Sequence, residues 1–250
     1  MDFILPFEKY KITAGAKVSF TNTRNGINYD TSDPTLVQDD YFRYKEQIYA
    51  LYADYSREFS ERFSMQLGLR MEHTRTTGIS EAKDTEDKHD YTRLFPTVYL
   101  LYSPTDGHAL NFSFSNRISR PSQNMVNPFP FYQNKYTYAC GREDLKPSYT
   151  YNAELGYTLK NNFNVSAYYS YSDDVFFQVV DLDAETNVTS FLWENFMQTH
   201  AFGLNNSYTF RTKWLQAYAQ HGVSYRRTTS SAATTSPEEK GWAYDASLRN

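Results

Sequence analysis

An arginine- and tyrosine-rich segment near the middle of the 250-residue chain carries the side chains best suited to bind a ligand. Guanidinium groups pair with anionic groups, and aromatic rings stack on sugar rings or on cations. We therefore predict a ligand-binding site formed by Arg117, Arg120, Tyr132, Tyr136 and Arg142 in a long loop. The alternative is that the same side chains pack the loop against its neighbours and cap the molecule.

The other groups that could perform chemistry form no recognisable pattern. The five histidines are scattered, without the i,i+4 spacing of a metal-binding helix or a neighbouring cysteine. The acidic run Glu81–Asp90 would attract a divalent cation, but it lacks the spacing and central glycine of an EF-hand, and we interpret it as a solvated external loop. Asp173 and Asp174 are interpreted as charges near the outer rim of a sheet. We expect no catalytic residue, no metal site and no cofactor.

The composition excludes several classes of protein. The formal charge of −4 argues against nucleic acid as a partner. A single cysteine rules out a disulfide scaffold, and the sequence has no apolar run of the length that a transmembrane helix needs. Yet 18% of the residues are aromatic in a chain whose hydrophobic fraction is only 40%. Almost half of the hydrophobic residues are therefore aromatic.

Alternation between apolar and polar residues is the dominant pattern. Between Leu110 and Ile118 the apolar side chains share one parity, while Asn, Ser and Arg take the other. Because side chains alternate between the faces of a strand, this pattern predicts strands with one apolar and one polar face. The same alternation recurs in Ile12–Thr21, Phe63–Glu72, Tyr151–Leu159 and Trp242–Arg249.

Two further segments are predicted as strands with a less regular pattern. Between Tyr41 and Tyr55 both parities carry apolar or aromatic residues, and Pro96 interrupts the run from Leu94 to Tyr102. Because proline cannot donate a hydrogen bond to a neighbouring strand, we expect an edge, a bulge or the start of a strand at Pro96.

Short and long connections alternate along the chain. They divide it into about ten long strands, with roughly 25 residues for each strand together with its connection. Short turns are predicted at 57–60, 103–107, 160–162 and 211–213. Long polar connections are predicted at 24–40, 80–90, 120–147 and 228–240, with a moderate one near 181–187. Soluble sandwiches turn about every 8–12 residues, whereas transmembrane barrels combine long strands, short turns on one side, long loops on the other and aromatic girdles. The sequence therefore predicts an all-β, antiparallel, up-and-down transmembrane barrel segment; a soluble antiparallel sheet is the alternative.

Several phrases of the sequence resemble the barrel of TonB-dependent outer-membrane receptors, in the branch called the outer membrane protein β-barrel family. The most specific phrases are Ser115-Asn116-Arg117-Ile118-Ser119-Arg120-Pro121, Asn127-Pro128-Phe129 and Leu145-Lys146-Pro147-Ser148-Tyr149. Phe42–Ala53 and Leu67–Thr74 resemble paired strands of the same barrels. The resemblance extends from about residue 3 to the end of the chain.

The resemblance implies a fold larger than this chain. A receptor of this kind has a 22-stranded barrel filled by an N-terminal plug domain, and TonB delivers energy from the inner membrane. We therefore expect residues 1–250 to form one partial barrel domain, with the plug domain and the remaining strands outside this sequence. The first and last strands would then be unpaired edges, which predicts a curved open sheet.

The implied location is the bacterial outer membrane, and the implied function is TonB-dependent uptake of an unidentified ligand. The expected partners are outer-membrane lipid and, through the plug domain, TonB; a surface lipoprotein also fits, and nucleic acid does not. The alternative function is an extracellular carbohydrate-binding or adhesion β-sheet protein that uses exposed tyrosine and tryptophan. A barrel enzyme would require a Ser/His or Asp/His constellation that the sequence does not offer, so we do not expect catalysis.

Overall fold

The computed structural model describes residues 2–28, 39–81, 84–231 and 237–249, and within these ranges it contains thirteen strands and one short helix. Ten strands are long, from 12 to 24 residues, in agreement with the sequence prediction. The elements are β1 (Asp2–Pro6), β2 (Tyr10–Asn28), β3 (Asp39–Ser60), β4 (Phe63–Ser80), β5 (Thr85–Tyr102), β6 (His108–Ser119), α1 (Gln123–Val126), β7 (Phe131–Asn134), β8 (Thr137–Cys140), β9 (Ser148–Leu159), β10 (Phe163–Asp183), β11 (Val188–Arg211), β12 (Gln216–Ser230) and β13 (Glu238–Arg249).

The strands form one open sheet in the order β1-β2-β3-β4-β5-β6-β9-β10-β11-β12-β13. Neighbours along this path are antiparallel, as in an up-and-down barrel, and within the described residues β1 and β13 do not pair. The hairpin β7–β8 lies off the path, and β8 adds to β11 as a parallel strand. The predicted fold class and the open sheet are therefore confirmed.

One row of directly paired residues crosses all ten long strands, and every member is apolar or aromatic. The row consists of Ile12, Tyr55, Leu67, Val98, Phe114, Ala153, Tyr169, Phe202, Tyr225 and Trp242. Many large apolar side chains of this face are exposed, among them Phe20, Leu51, Leu69, Leu94, Leu155, Leu204 and Tyr244. An apolar band this extensive has no place on a soluble monomer, and it matches the lipid-facing surface of a barrel.

The upper edge of the apolar band lies further from the row on the first strands of the sheet than on the last. On β2 the first polar residue of this face is Asn22, ten residues beyond the row, whereas on β13 it is Lys240, two residues beyond. A shift of eight residues over nine strand-to-strand steps, at about 3.4 Å per residue and 4.8 Å per step, corresponds to a strand tilt of about 30°. Membrane barrels tilt their strands by about 35–45°. The register alone thus orients the sheet in a bilayer.

The opposite face of the same strands is polar. Residues one position away from the apolar row include Gln66, Ser113, Asn152, Ser170 and Ser224. Neutral polar side chains of this kind line the water-filled interior of membrane barrels. The sheet therefore presents a polar face to the lumen. In the described part of the chain, no helix is long and apolar enough to cross a membrane.

The predicted turns at 103–107 and 160–162 are confirmed. In the second turn Lys160 and Asn161 have φ values of 49° and 57°, the left-handed conformation that tight hairpins require. The turn predicted at 57–60 lies slightly later, at Glu61 and Arg62, because β3 continues to Ser60.

The long connection predicted at 80–90 is wrong. β4 continues to Ser80 and β5 begins at Thr85, so the acidic run lies largely on a strand; residues 82–83 are outside the described part. Pairing with β4 continues to Ser80 opposite Thr85, and exposed ion pairs lie along this segment beyond the apolar band. Lys88 Nζ lies 3.0 Å from Glu86 Oε1, and Arg75 Nε lies 2.8 Å from Asp90 Oδ2. Likewise, β2 and β3 extend to Asn28 and from Asp39 into the connection predicted at 24–40, whose residues 29–38 are not described.

Pro96 marks a change in the pairing of β5. On one side β5 pairs with β4 along its whole length, including Pro96 opposite Leu69. On the other side the ladder with β6 ends at Thr97 opposite Ser115. The stretch Thr85–Pro96 is therefore an edge on its β6 side, as one of the interpretations of this proline predicted.

Candidate ligand-binding loop

The loop that joins β6 to β9 is folded, and we call residues Arg120–Pro147 the central loop. It contains α1, β7 and β8. Two backbone hydrogen bonds join its halves, from Gly141 N to Asn127 O and from Arg142 N to Met125 O, each 2.8 Å. A Cβ at Gly141 would lie 2.4 Å from Asn127 O, so this close approach requires glycine. The loop therefore has a defined internal structure.

Arg120 fixes the first end of the central loop to β4. Its Nη2 donates to Glu72 Oε2 at 2.5 Å and to Thr74 Oγ1 at 3.2 Å. Glu72 is 7% exposed, and Arg70 Nε donates to its second oxygen at 2.5 Å. A buried carboxylate held between two guanidinium groups has both oxygens satisfied, which is the condition for a stable buried ion pair.

Arg142 fixes the second end of the central loop to β11. Its Nη1 donates to Glu194 Oε1 at 2.9 Å, and its Nε donates to Asp144 Oδ1 at 2.6 Å. The Asn195 side chain bonds both backbone groups of Lys146, accepting from N at 2.8 Å and donating to O at 2.9 Å. The Arg142 guanidinium beside Asp144 holds the pKa of that carboxyl below its usual range.

An apolar cluster lies between the two ends. Phe42 of β3 packs with Val126 and Leu145 of the central loop, and all three are buried. Phe176 of β10 and Trp193 of β11 pack against the same cluster. Since β3 and β10 lie five strands apart in the sheet, the sheet must curve for both to reach the loop. The central loop thus spans the concave, polar side of the sheet.

A small cavity of about 80 Å³ lies between the central loop and strands β3–β5. Tyr44, Tyr91, Asp87 and Arg120 are among its polar lining residues. This volume accommodates only a few water molecules. A ligand larger than that must bind on the open surface of the loop or of the polar face.

The structure separates the five predicted site residues into three groups. Arg120 and Arg142 anchor the central loop at its two ends. Tyr132 packs against Tyr138 with ring centroids 5.6 Å apart. Tyr136 is 55% exposed, and Arg117, on β6, is exposed as well. Anchoring agrees with the packing alternative for two arginines, and the ligand-binding role of the five residues stays a prediction.

Sequence reasoning missed the residues that receive the two arginines. Glu72 belongs to the polar parity of β4, and Glu194 and Asn195 lie on β11. The available signal for Glu72 was its position two residues after Arg70, on the polar face of the same strand. The contacts of Arg142 offered no sequence signal, because they join positions about 50 residues apart.

Replacing Arg120 with alanine is expected to lower the free energy of unfolding by about 2 kcal/mol, because Glu72 stays buried with only one guanidinium partner. Urea unfolding in detergent measures this loss, and hydrogen–deuterium exchange across residues 121–147 reports loosening of the loop. Arg117→Ala, three residues earlier, removes an exposed side chain and is the matched control, with a change below about 0.5 kcal/mol. Equal losses in both variants would contradict the anchoring role.

Within the described ranges, no three His, Cys, Asp or Glu side chains converge as a metal site would require. Asp173 and Asp174 occupy an irregularity in the β10–β11 pairing, where Asp174 has a φ of 52°. Asp173 Oδ1 accepts a hydrogen bond from Gln198 Nε2 at 2.9 Å. These two carboxylates therefore have a local structural role at a bulge.

Comparison of the sequence with protein families agrees with this geometry. The model of the outer membrane protein beta-barrel family matches residues 1–250. The chain belongs to this family. It is accordingly a β-barrel protein of the bacterial outer membrane, and the resemblance seen in the sequence is confirmed. No curated protein sequence matches the chain.

Solved structures show the same fold. The ferric enterobactin receptor PfeA of Pseudomonas aeruginosa is similar over 93% of this chain and 39% of that chain, with 14% identity and a TM-score of 0.62. The copper transporter OprC is similar over 91% and 37%, with 12% identity and a TM-score of 0.66. The FrpB iron transporter from Neisseria meningitidis is similar over 92% and 34%, with 13% identity and a TM-score of 0.58. The 250-residue chain thus spans less than two fifths of the length of each of these proteins.

Proposed function

We propose that this chain is part of the barrel of an outer-membrane receptor that takes up a ligand with energy delivered by TonB. Binding is non-covalent and involves the central loop together with the polar face below it. Movement of a plug domain, in a region outside this sequence, opens the path through the barrel. The chain serves transport and not catalysis.

The observation that carries the proposal is the fixed position of the central loop over the polar face. Ion pairs hold its two ends, and a buried cluster holds its middle. A loop fixed in advance loses little conformational freedom when a ligand binds, and this raises affinity. Exposed side chains on such a support, such as Tyr136, are suited to direct contact with a ligand.

The solved structures suggest the kinds of ligand to test. Those proteins are a ferric enterobactin receptor, a copper transporter and an iron transporter, and one further similar structure holds a hemophore with heme. We propose a ligand of this range, a scarce metal or its organic carrier. Such compounds are too rare or too large for passive diffusion to supply them.

The test measures binding of ferric enterobactin, hemin and Cu²⁺ to the purified protein in detergent, and uptake of each by cells with and without the gene. We expect one probe to bind and to enter only cells that carry the gene. A set of oligosaccharides serves as the counter-test. Binding of an oligosaccharide without uptake of any probe would overturn the proposal in favour of a carbohydrate-binding protein.

For the probe that binds, Tyr136→Ala is expected to weaken affinity about tenfold, since stacking on an exposed ring is worth about 1 kcal/mol or more. Tyr132→Ala is expected to have a similar or smaller effect. Tyr41→Ala removes an exposed tyrosine from the outer rim of β3 and is the matched control. Unchanged affinity in both loop variants, with normal membrane assembly, would reject the loop as the binding site.

A further inference from the structure

The cations of the polar face are concentrated on β2–β6. Positions three and five residues outward of the apolar row, toward the central loop, form two neighbouring rows on this face. On β2–β6 these rows contain four cations and one carboxylate, Lys17, Arg70, Arg93, Arg117 and Glu72, and the edge strand β1 adds Asp2. On β9–β13 they contain no cation, and instead hold the carboxylates Asp174 and Glu239 and the hydroxyl groups of Ser148, Thr150, Ser172, Thr199, Thr228 and Ser230. At this level, positive charge is thus a property of one half of the polar face.

Three of these cations line one recess. The recess has a volume of about 530 Å³ and lies between β2 and β6, with Lys17, Arg70 and Arg117 among its lining residues. Tyr52 and Phe95 add aromatic surface to it. Sites for small organic ligands usually measure about 300–1,000 Å³. The recess therefore has room for an organic ligand, whereas the cavity of about 80 Å³ beneath the central loop has not.

The positive charge of the recess is incompletely balanced. Arg70 has a partner, because its Nε donates to Glu72 Oε1 at 2.5 Å. Lys17 and Arg117 are exposed, and neither forms a salt bridge within the described ranges. Of the carboxylates that line the recess, only Asp54 is left to balance these two cations. A cleft whose charge is mainly of one sign attracts ligands of the opposite sign.

We propose that the recess binds a ligand with several anionic oxygen atoms through Lys17, Arg70 and Arg117. This site rests on the proposed function and names the class of its ligand, an anionic organic carrier of a metal and not a free metal ion. Ammonium and guanidinium groups form charge-assisted hydrogen bonds with catecholate and carboxylate oxygens. A free metal cation would be repelled, and the described residues contain no cluster of metal-binding side chains to hold it. Glu72 lines the recess and also accepts from Arg120, so a ligand bound here lies beside the first end of the central loop.

Four probes separate the ligand classes: ferric enterobactin and hemin, which carry anionic catecholate or carboxylate oxygens, and Cu²⁺ and an uncharged ferric tris-hydroxamate, which do not. Binding to the purified protein in detergent is measured at low and high salt, together with uptake by cells with and without the gene. We expect an anionic probe to bind and to enter, with an affinity that falls as the salt concentration rises. Entry of only Cu²⁺ or the tris-hydroxamate, or equal affinity for ferric enterobactin and the tris-hydroxamate, would overturn the anionic site and leave the transport function intact. Entry of none of the four would contradict the transport function itself.

Lys17→Gln and Arg117→Gln should each weaken binding of the anionic probe about tenfold, the usual contribution of one hydrogen bond to a charged group. Lys17→Arg keeps the charge and should retain the affinity. Lys11→Gln is the matched control and should have no effect, since Lys11 is an exposed lysine on the same face of the same strand, about 20 Å further inward. Circular dichroism verifies that each variant keeps its sheet. Wild-type affinity in the folded Lys17→Gln and Arg117→Gln variants would overturn the site.

Discussion

Replacement of Phe42 with alanine is expected to lower the free energy of unfolding by about 3–5 kcal/mol, the usual cost of removing a buried phenylalanine ring. Phe42 is 1% exposed and packs with Val126 and Leu145 of the central loop. Without the ring, the loop loses its buried apolar contact with Phe42 of β3. Urea unfolding in detergent measures the loss, and hydrogen–deuterium exchange should increase across residues 121–147.

Tyr41→Ala is the matched control for Phe42→Ala. Tyr41 is the preceding residue on the same strand, and its side chain points to the opposite, exposed face. Its backbone oxygen still accepts the hydrogen bond from Glu81 N after the change. The expected effect is within about 0.5 kcal/mol. Equal stability losses in the two variants would show that the buried cluster does not hold the loop.

Leu67→Arg is expected to lower the free energy of unfolding by about 2–4 kcal/mol, because it places a charge near the midplane of the bilayer. Leu67 belongs to the apolar row and lies midway along the apolar part of β4, between Phe63 and Met71. Reversible unfolding in lipid vesicles measures this effect. The same experiment in detergent should give a smaller loss, since a micelle adapts more easily to a charge.

The control for Leu67→Arg is Thr77→Arg on the same face of the same strand. Thr77 lies ten residues further outward, beyond the apolar band. The expected change there is about 0–1 kcal/mol. A similar cost at both positions would contradict the position of the bilayer that the register defines.

The fold was predictable because two-residue periodicity is a local property of the sequence. Alternation in Phe63–Glu72 identifies a strand and its lipid-facing side without any knowledge of its neighbours. The ends of strands were less predictable. Beyond the membrane, polar segments such as Thr85–Asp90 remain strands. Partners on the neighbouring strand stabilise them, as Arg75 does for Asp90, and an alternating hydrophobic pattern does not. Polarity alone therefore suggested a loop.

The candidate site was only half predictable for a different physical reason. Arg120 and Arg142 could be selected as candidates because they stand among aromatic residues in a long loop. Their acceptors, Glu72 and Glu194, lie 48 and 52 residues away in the sequence. Which arginine meets a carboxylate and which faces solvent depends on the curvature of the whole sheet, and no local pattern encodes that.

The change of pairing at Pro96 has a mechanical consequence. Between β5 and β6, backbone hydrogen bonds close the wall only from Thr97 to Tyr102. Further out, side chains join β5 to β9 and to the central loop: Arg93 lies over the ring of Tyr149 at 4.8 Å, and Thr85 Oγ1 donates to Glu143 Oε1 at 2.7 Å. Side-chain contacts exchange with water far more readily than a ladder of backbone bonds separates. The wall can therefore change its width along this one line from Pro96 outward, while its inner part at Thr97–Tyr102 keeps its shape.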